Sequence, residues 1–260
     1  MDEKKIILTD LDGTFVMDSH SVNKKDLDAF HELKDNFIMG VATGRSLKEI
    51  DYLEEDNGIK FDIGVGFNGS LIRGTNGELL VDKPIQHDDL CKILSYLESN
   101  NIIFDALDGL KRIGSYKATD PKRLWGMNLV TLNDPFDTVR DMNIYKINVR
   151  PGKEKFDKVF SNMIQLFPGL SIYEGGTQQR IEISAKNSSK GTAVEYLKNK
   201  YKRDVIVVGD SGNDAPMFEK ADISFCISHA KPEVKNKADY AIDSFADVSE
   251  KLNSMYKEMI

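Results

Sequence analysis

At both ends of the chain, short apolar runs alternate with helical patterns, and this alternation restricts the fold more than any other feature. "KKIILTD" reads as a strand, and "NKKDLDAFHELKDN" follows with Leu27, Phe30 and Leu33 at helical spacing. "FIMGVATG" is a second strand of the buried type, after which Ser46 and Glu49 have the spacing of a capping box. Near the other end, "RDVIVVGD", "ADISFCIS" and "DYAID" are three more short strands with helices between them. Strands that alternate with helices predict a doubly wound α/β fold, its parallel sheet covered on both faces.

The middle has a different texture. "SLIRGTNGELLVDKP" reads as strand, turn, strand, a hairpin signal. Beyond it come a strong helix ("DDLCKILSYLESN"), short strands such as "YKINVR", and a further helix after Pro151-Gly152. The expected organisation is a core of residues 1–83 and 186–260, interrupted over 84–185 by an α+β insertion. At roughly 100 residues the insertion is large enough to be a domain.

Within 260 residues, 40% hydrophobic and 30% charged, the balance is that of a globular protein. The formal net charge of -7 opposes a nucleic-acid partner, because a phosphate-backbone binder usually presents a basic surface. No apolar run approaches the roughly 20 residues of a membrane span, so no membrane partner is expected. Ile6–Leu8 runs straight into acidic residues, unlike the apolar stretch of a signal peptide. Cys91 and Cys226 lie far apart and form no CxxC motif. They read as thiols of a reducing compartment, which makes the cytoplasm the expected location.

Acidic residues collect where the apolar runs end. Asp10 and Asp12, separated by Leu11, close the first strand, at the sheet end where ligands of open α/β folds bind. A solvated acidic turn bent at Gly13 is the plain alternative. A calcium loop fails, because Phe15 stands where its glycine belongs and a strand precedes it. "VIVVGDSGNDAPMF" brings Asp210, Asn213 and Asp214 to the end of another strand, where they either cap a helix or supply the oxygen ligands that Mg²⁺ requires. Thr43 and Gly44 follow "FIMGVA" and offer a hydroxyl and backbone N–H groups to an anion. Lys190 stands at the mouth of a helix, against the macrodipole, which makes sense if it faces a phosphate.

In the order "DLDGT", "ATGR", "SKG", "GDSGND", the chain resembles the haloacid dehalogenase-like superfamily of aspartyl-phosphate enzymes. Within it the chain is similar to the Cof-type sugar-phosphatase group, whose cap lies between the second and third motifs. The resemblance spans essentially the whole chain and implies a Rossmann-like core with an inserted cap. It implies that Asp10 is the nucleophile and Asp12 the general acid and then base. Mg²⁺ is expected on the carboxylates of Asp10 and Asp210 and the backbone carbonyl of Asp12, supported by Asp214. Thr43, Gly44, Lys190, Asn213 and the N–H of Leu11 are expected to hold the phosphoryl oxygens.

The implied reaction is Mg²⁺-dependent hydrolysis of a small phosphorylated metabolite, a sugar phosphate for preference, by a monomer or weak homodimer. Covalent catalysis divides one hard step into two, and Asp12 can serve as acid only if it keeps a proton beside another carboxylate in a site closed to water. A phosphomutase is the enzymatic alternative and a non-catalytic phosphosugar-binding regulator the other. An ion pump that forms an aspartyl phosphate is excluded for want of a membrane span.

Three details complete the reading. "CISHA" puts His229 where the family pattern "AMGNA" has asparagine, an altered packing after the last catalytic motif. Gly64, Gly66 and Gly69 form a literal G-x-G-x-x-G, but a hairpin follows it where a dinucleotide fold needs a helix. Asn68-Gly69 resembles instead the asparagine-glycine turn that precedes the cap in Cof-type proteins, which implies a place at the mouth of the site. In the insertion, Arg112, Tyr116, Lys117, Arg123 and Arg180 are polar groups available to a substrate.

Overall fold

The apolar run before Asp10 forms β1 (Ile6–Thr9), buried along its whole length. A computed structural model describes residues 4–18, 20–120, 124–175 and 180–258. Asn23 caps α1 (Lys24–Lys34), its side chain accepting from Asp26 N–H, and the chain returns as β2 (Ile38–Ala42). The Ser46/Glu49 capping box opens α2 (Leu47–Asn57), which ends at left-handed Gly58. β3 (Ile63–Gly66) leads through a tight turn at Phe67–Gly69 into the hairpin of β4 (Leu71–Arg73) and β5 (Leu79–Asp82).

The chain then builds a second sheet. In order come α3 (His87–Ser99), β6 (Ile103–Leu107), β7 (Lys111–Gly114), β8 (Asn128–Thr131) and α4 (Phe136–Arg140). β9 (Lys146–Arg150), α5 (Phe156–Leu166), β10 (Leu170–Gly175) and β11 (Arg180–Lys186) follow. The six strands lie in the order β10-β11-β9-β6-β7-β8. Successive side chains of a strand face opposite ways, and here one face packs on helices while the other is polar. Phe104, Ala106, Ile147, Val149, Ile181 and Ile183 meet Ile93, Leu97, Val159 and Met163 from α3 and α5.

The larger sheet is completed by α6 (Lys190–Tyr201), β12 (Val205–Gly209), α7 (Ala215–Phe218), β13 (Ile223–Ile227), α8 (Pro232–Lys235), β14 (Tyr240–Ile242) and α9 (Asp247–Glu258). Its eight strands run β14-β13-β12-β1-β2-β3-β4-β5. The pairs from β14 to β3 are parallel, and the hairpin adds two antiparallel strands at one edge. Ile7 faces the apolar cluster of Phe15, Phe30 and Phe245, whereas Ile6 and Leu8 face that of Val194 and Leu197. Burial on both faces explains why these strands read as unbroken apolar runs. No described helix is long and apolar enough to cross a membrane.

From β1 the chain winds outward through β2 and β3, and from β12 it winds the other way through β13 and β14. The winding reverses between β1 and β12, whose register sets Thr9 opposite Val208. At such a switch point the loops leaving two adjacent strands part and leave a crevice. Asp10 leaves one strand there and Asp210 the other.

Candidate active site

Asp10, only 4% exposed, is held by Lys190, whose Nζ lies 2.6 Å from Asp10 Oδ1 and 2.5 Å from Asp214 Oδ1. The other oxygen of Asp214 accepts from the N–H groups of Asp210 and Ser211, both at 2.9 Å. Asp210 in turn accepts from Thr14 Oγ1 at 2.8 Å, which ties the loop after β12 to the loop after β1. Gly13 makes this approach possible: its φ is +90° and a Cβ there would lie 2.6 Å from Asp210 Oδ2. Phe15, packed against Phe245, anchors the loop, and Leu11 O accepts from the N–H groups of Thr14, Phe15 and Val16.

One carboxylate oxygen from each of Asp10, Asp210 and Asp214 falls within 4.8 Å of the others. Burial, and next the charge of Asp214, hold the carboxyl groups of Asp10 and Asp210 above the ordinary aspartate value. Burial pulls Lys190 down, but Asp10 and Asp214 outweigh it and hold the ammonium above the ordinary lysine value. Three carboxylates around one ammonium leave negative charge for a cation to offset. Asp12 O accepts no hydrogen bond among the described residues, so this hard carbonyl oxygen is available beside the cluster. The donor set is therefore the all-oxygen kind that suits Mg²⁺.

Asp12 is placed differently from Asp10. Its side chain is 44% exposed and accepts a bidentate fork from one edge of Arg45, from Nε at 2.9 Å and Nη2 at 2.5 Å. The carboxylates that crowd Asp10 are thus Asp214 and Asp210, which corrects the expectation that Asp12 shares a closed, dry site with it. The guanidinium of Arg45 also lies 4.4 Å from the ring centre of Trp125.

The anion-binding candidates converge on the same crevice. Thr43 Oγ1 accepts from Arg45 N–H at 3.2 Å. The N–H of Leu11 has no hydrogen-bond partner among the described residues. Asn213 Nδ2 donates to Asn68 Oδ1 at 3.2 Å, and Asn68 N–H donates to Thr43 O at 2.9 Å. Asn68, fully buried and left-handed at φ 55°, thus braces two of these loops. Gly69 has φ +103°, and a Cβ there would meet Ser189 O at 2.7 Å, so the turn packs directly under the start of α6.

The polar face of the smaller sheet roofs the crevice and encloses a cavity of about 990 Å³. Asp10, Asp12, Thr43, Gly44, Asp210 and Asn213 line it from below, and Arg112, Lys146, Asn148, Arg150 and Arg180 from above. Among the described residues, Leu11, Lys190 and Asp214 stand behind this lining. Lys146 Nζ donates to Gly44 O at 2.5 Å and Arg112 pairs with Glu49 at 2.5 Å, so the roof touches both the Thr43 loop and α2. Phe67 and Tyr145 stack at 5.6 Å to complete an apolar joint between the sheets.

Of the polar groups expected in the insertion, Arg112, Tyr116 and Arg180 line the cavity, Lys117 does not, and Arg123 lies outside the described residues. His229 borders the cavity with Nε2 3.3 Å from Asp210 Oδ2, which puts this departure from the family pattern at the carboxylate cluster itself. Arg45, Lys146, Asn148, Arg150 and Glu182 were not foreseen. "YKINVR" carried a signal for three of them: Lys146, Asn148 and Arg150 alternate with two apolar residues, as polar groups sharing one strand face do.

The profile of the haloacid dehalogenase-like hydrolases matches residues 7–249. Phosphatase YwpJ of Bacillus subtilis is 25% identical, over 90% of this chain and 93% of that protein. The 5-amino-6-(5-phospho-D-ribitylamino)uracil phosphatase YwtE of the same organism is 26% identical, over 92% of this chain and 93% of that protein. A solved haloacid dehalogenase-like hydrolase from B. subtilis superimposes with a TM-score of 0.83 at 22% identity, covering 95% of this chain and 99% of that one.

Proposed function

Because the chain belongs to the haloacid dehalogenase-like hydrolases, we propose that it cleaves phosphate monoesters of small metabolites, sugar phosphates above all, through an aspartyl phosphate on Asp10. It is a phosphoric monoester hydrolase that uses Mg²⁺. The observation that carries this reading is Asp10 at the floor of a roofed cavity, backed by Lys190 and Asp214, with Asp210 beside it. In support, relatives along nearly the whole chain are phosphatases. Residues 1–83 with 186–260 act as the catalytic core, and residues 84–185 act as the cap that selects the substrate. Each sheet having its own apolar cluster supports that division.

Asp10 supplies the attacking oxygen: its bond to phosphorus forms as the bond from phosphorus to the substrate oxygen breaks. Asp12, at the cavity rim, takes up a proton from solvent, which its exposure allows, and gives it to that leaving oxygen. It then takes a proton from the water that attacks phosphorus, releasing inorganic phosphate and restoring Asp10. Thr43, Gly44, Asn213 and the N–H of Leu11 hold the phosphoryl oxygens. Lys190 bonds Asp10 and Asp214 from behind and keeps the nucleophile aimed. Asp10, Asp210 and the carbonyl of Asp12 would hold Mg²⁺, with Asp214 in support, and the cation would supply the positive charge that an anionic nucleophile needs beside a phosphate dianion.

The test is hydrolysis of p-nitrophenyl phosphate and a panel of sugar phosphates with Mg²⁺. Activity should disappear with EDTA and in Asp10→Asn. Turnover that persists in either case overturns the reading.

A further inference from the structure

The roof of the cavity carries more positive charge than the reaction at Asp10 requires. Arg112, Lys146, Arg150 and Arg180 stand on β7, β9 and β11 at positions alternating with Ile113, Ile147, Val149 and Ile181, so all four face the cavity. Three buried carboxylates meet these four cations. Asp105 pairs with Arg150 and lies 3.6 Å from Arg112. Glu182 pairs with Arg180 and lies 3.6 Å from Lys146, and Glu49 pairs with Arg112.

The hydrogen-bond inventory has the same bias. Arg112 Nε, Arg150 Nε and Arg180 Nε are buried without a hydrogen-bond partner, three N–H donors on one sheet face. The acceptor side of the same face is short: Asn148 Oδ1 is its one unmet pure acceptor among the described residues, and Ser184 Oγ can act either way. Buried donors without partners are costly and rare unless something else completes them. Burial holds Lys146 and Arg150 below their ordinary values and the neighbouring charge of Arg180 adds to the effect in both, whereas for Arg180 itself Glu182 and Asp105 outweigh burial and hold it above its own.

We propose that this face receives a second anionic group of the substrate, a carboxylate or a further phosphate, remote from the phosphoryl group transferred to Asp10. The inference rests on the phosphatase reading of the floor and names its substrate class: a small phosphate monoester that also carries an acid group. Guanidinium N–H groups bind such oxygens with charge-assisted hydrogen bonds. An acid group meeting this face offsets its surplus of cations over buried carboxylates, whereas a neutral hydroxyl leaves that surplus in place.

Two substrate pairs test it with the whole chain and Mg²⁺. Glucitol 6-phosphate against 6-phosphogluconate, both open chains, isolates a carboxylate, and fructose 6-phosphate against fructose 1,6-bisphosphate isolates a phosphate. The expected result is a kcat/KM at least about tenfold higher for the acid member of one pair, and that pair identifies the anion. Arg180→Gln should bring the ratio to within about threefold of unity, and Lys146→Gln, read in the same way, is the second variant. Wild-type ratios near one, or ratios unchanged in both variants, overturn the proposal. If neither p-nitrophenyl phosphate nor any of the four esters is hydrolysed, the phosphatase reading fails and the inference falls with it. Hydrolysis without preference sinks the inference alone.

Discussion

Arg45 grips Asp12 through one edge, Nε on one carboxylate oxygen and Nη2 on the other, while Trp125 covers the guanidinium at 4.4 Å. On the proposed mechanism Asp12 passes a proton to the leaving group, and Arg45, which fixes both of its oxygens, would be a positioning residue for that transfer. Arg45→Lys, which loses the fork geometry, should lower kcat by about 10–100-fold on a sugar phosphate. The loss should be clearly smaller on p-nitrophenyl phosphate, whose phenolate leaves without help. Equal losses on both substrates would remove the role.

Lys190 has no exposure and stands between two carboxylates. Removing one partner of a buried ion pair leaves uncompensated charge, so Lys190→Ala should cost about 3–5 kcal/mol in urea denaturation. Adding Asp214→Asn should recover part of that loss. A double variant no more stable than the single one would show that charge is not the cause.

Asp10 and Asp210 are carboxylates that burial and Asp214 make reluctant to ionise. At neutral pH the metal-free protein carries that strain, and a cation bound there would relieve it. Asp210→Asn should therefore raise the thermal midpoint of the metal-free protein by about 2–4 °C. The same variant should lose the rise that saturating Mg²⁺ gives the wild type, about 2.7 kcal/mol at a hundred times Kd. An unchanged response to Mg²⁺ in Asp210→Asn would take that residue out of the metal site.

The roof predicts an acid-sensitive interaction. Burial pushes Glu182 up, but Lys146 and Arg180 outweigh it and bring the carboxyl from 4.5 down to about 2. A depressed carboxyl stabilises the fold fully above its unfolded value and loses that contribution as pH falls toward the folded one. Wild-type stability should thus drop between about pH 4.5 and 2 more steeply than that of Glu182→Gln. Parallel curves from acid titration followed by circular dichroism would contradict this.

Much of the floor was legible because parallel strands buried on both faces announce themselves as apolar runs. The first polar residue after each run, Asp10, Thr43 or Asp210, stands at the sheet edge by necessity. The roof was harder to read. Arg150 and Glu182 look like solvated residues in a sequence, and only the pairing of β9 with β6 and β11 brings Asp105 to the one and Lys146 to the other. Arg45 was passed over inside a recognised motif for the same reason: its partner Asp12 lies 33 residues away.

The placement of β12 beside β1 also sets the order in which the molecule can be made. β1, β2 and β3 emerge early and can pair, but the neighbour on the other side of β1 waits for Val205, opposite Ile6. Until then the growing chain presents an apolar strand edge that invites wrong partners. The insertion is synthesised during that wait, so the smaller sheet is complete before Asp10 has its lysine. Refolding should carry the slow signature of a long-range strand pairing, and the capacity to bind a divalent cation should be the last property of the native state to appear.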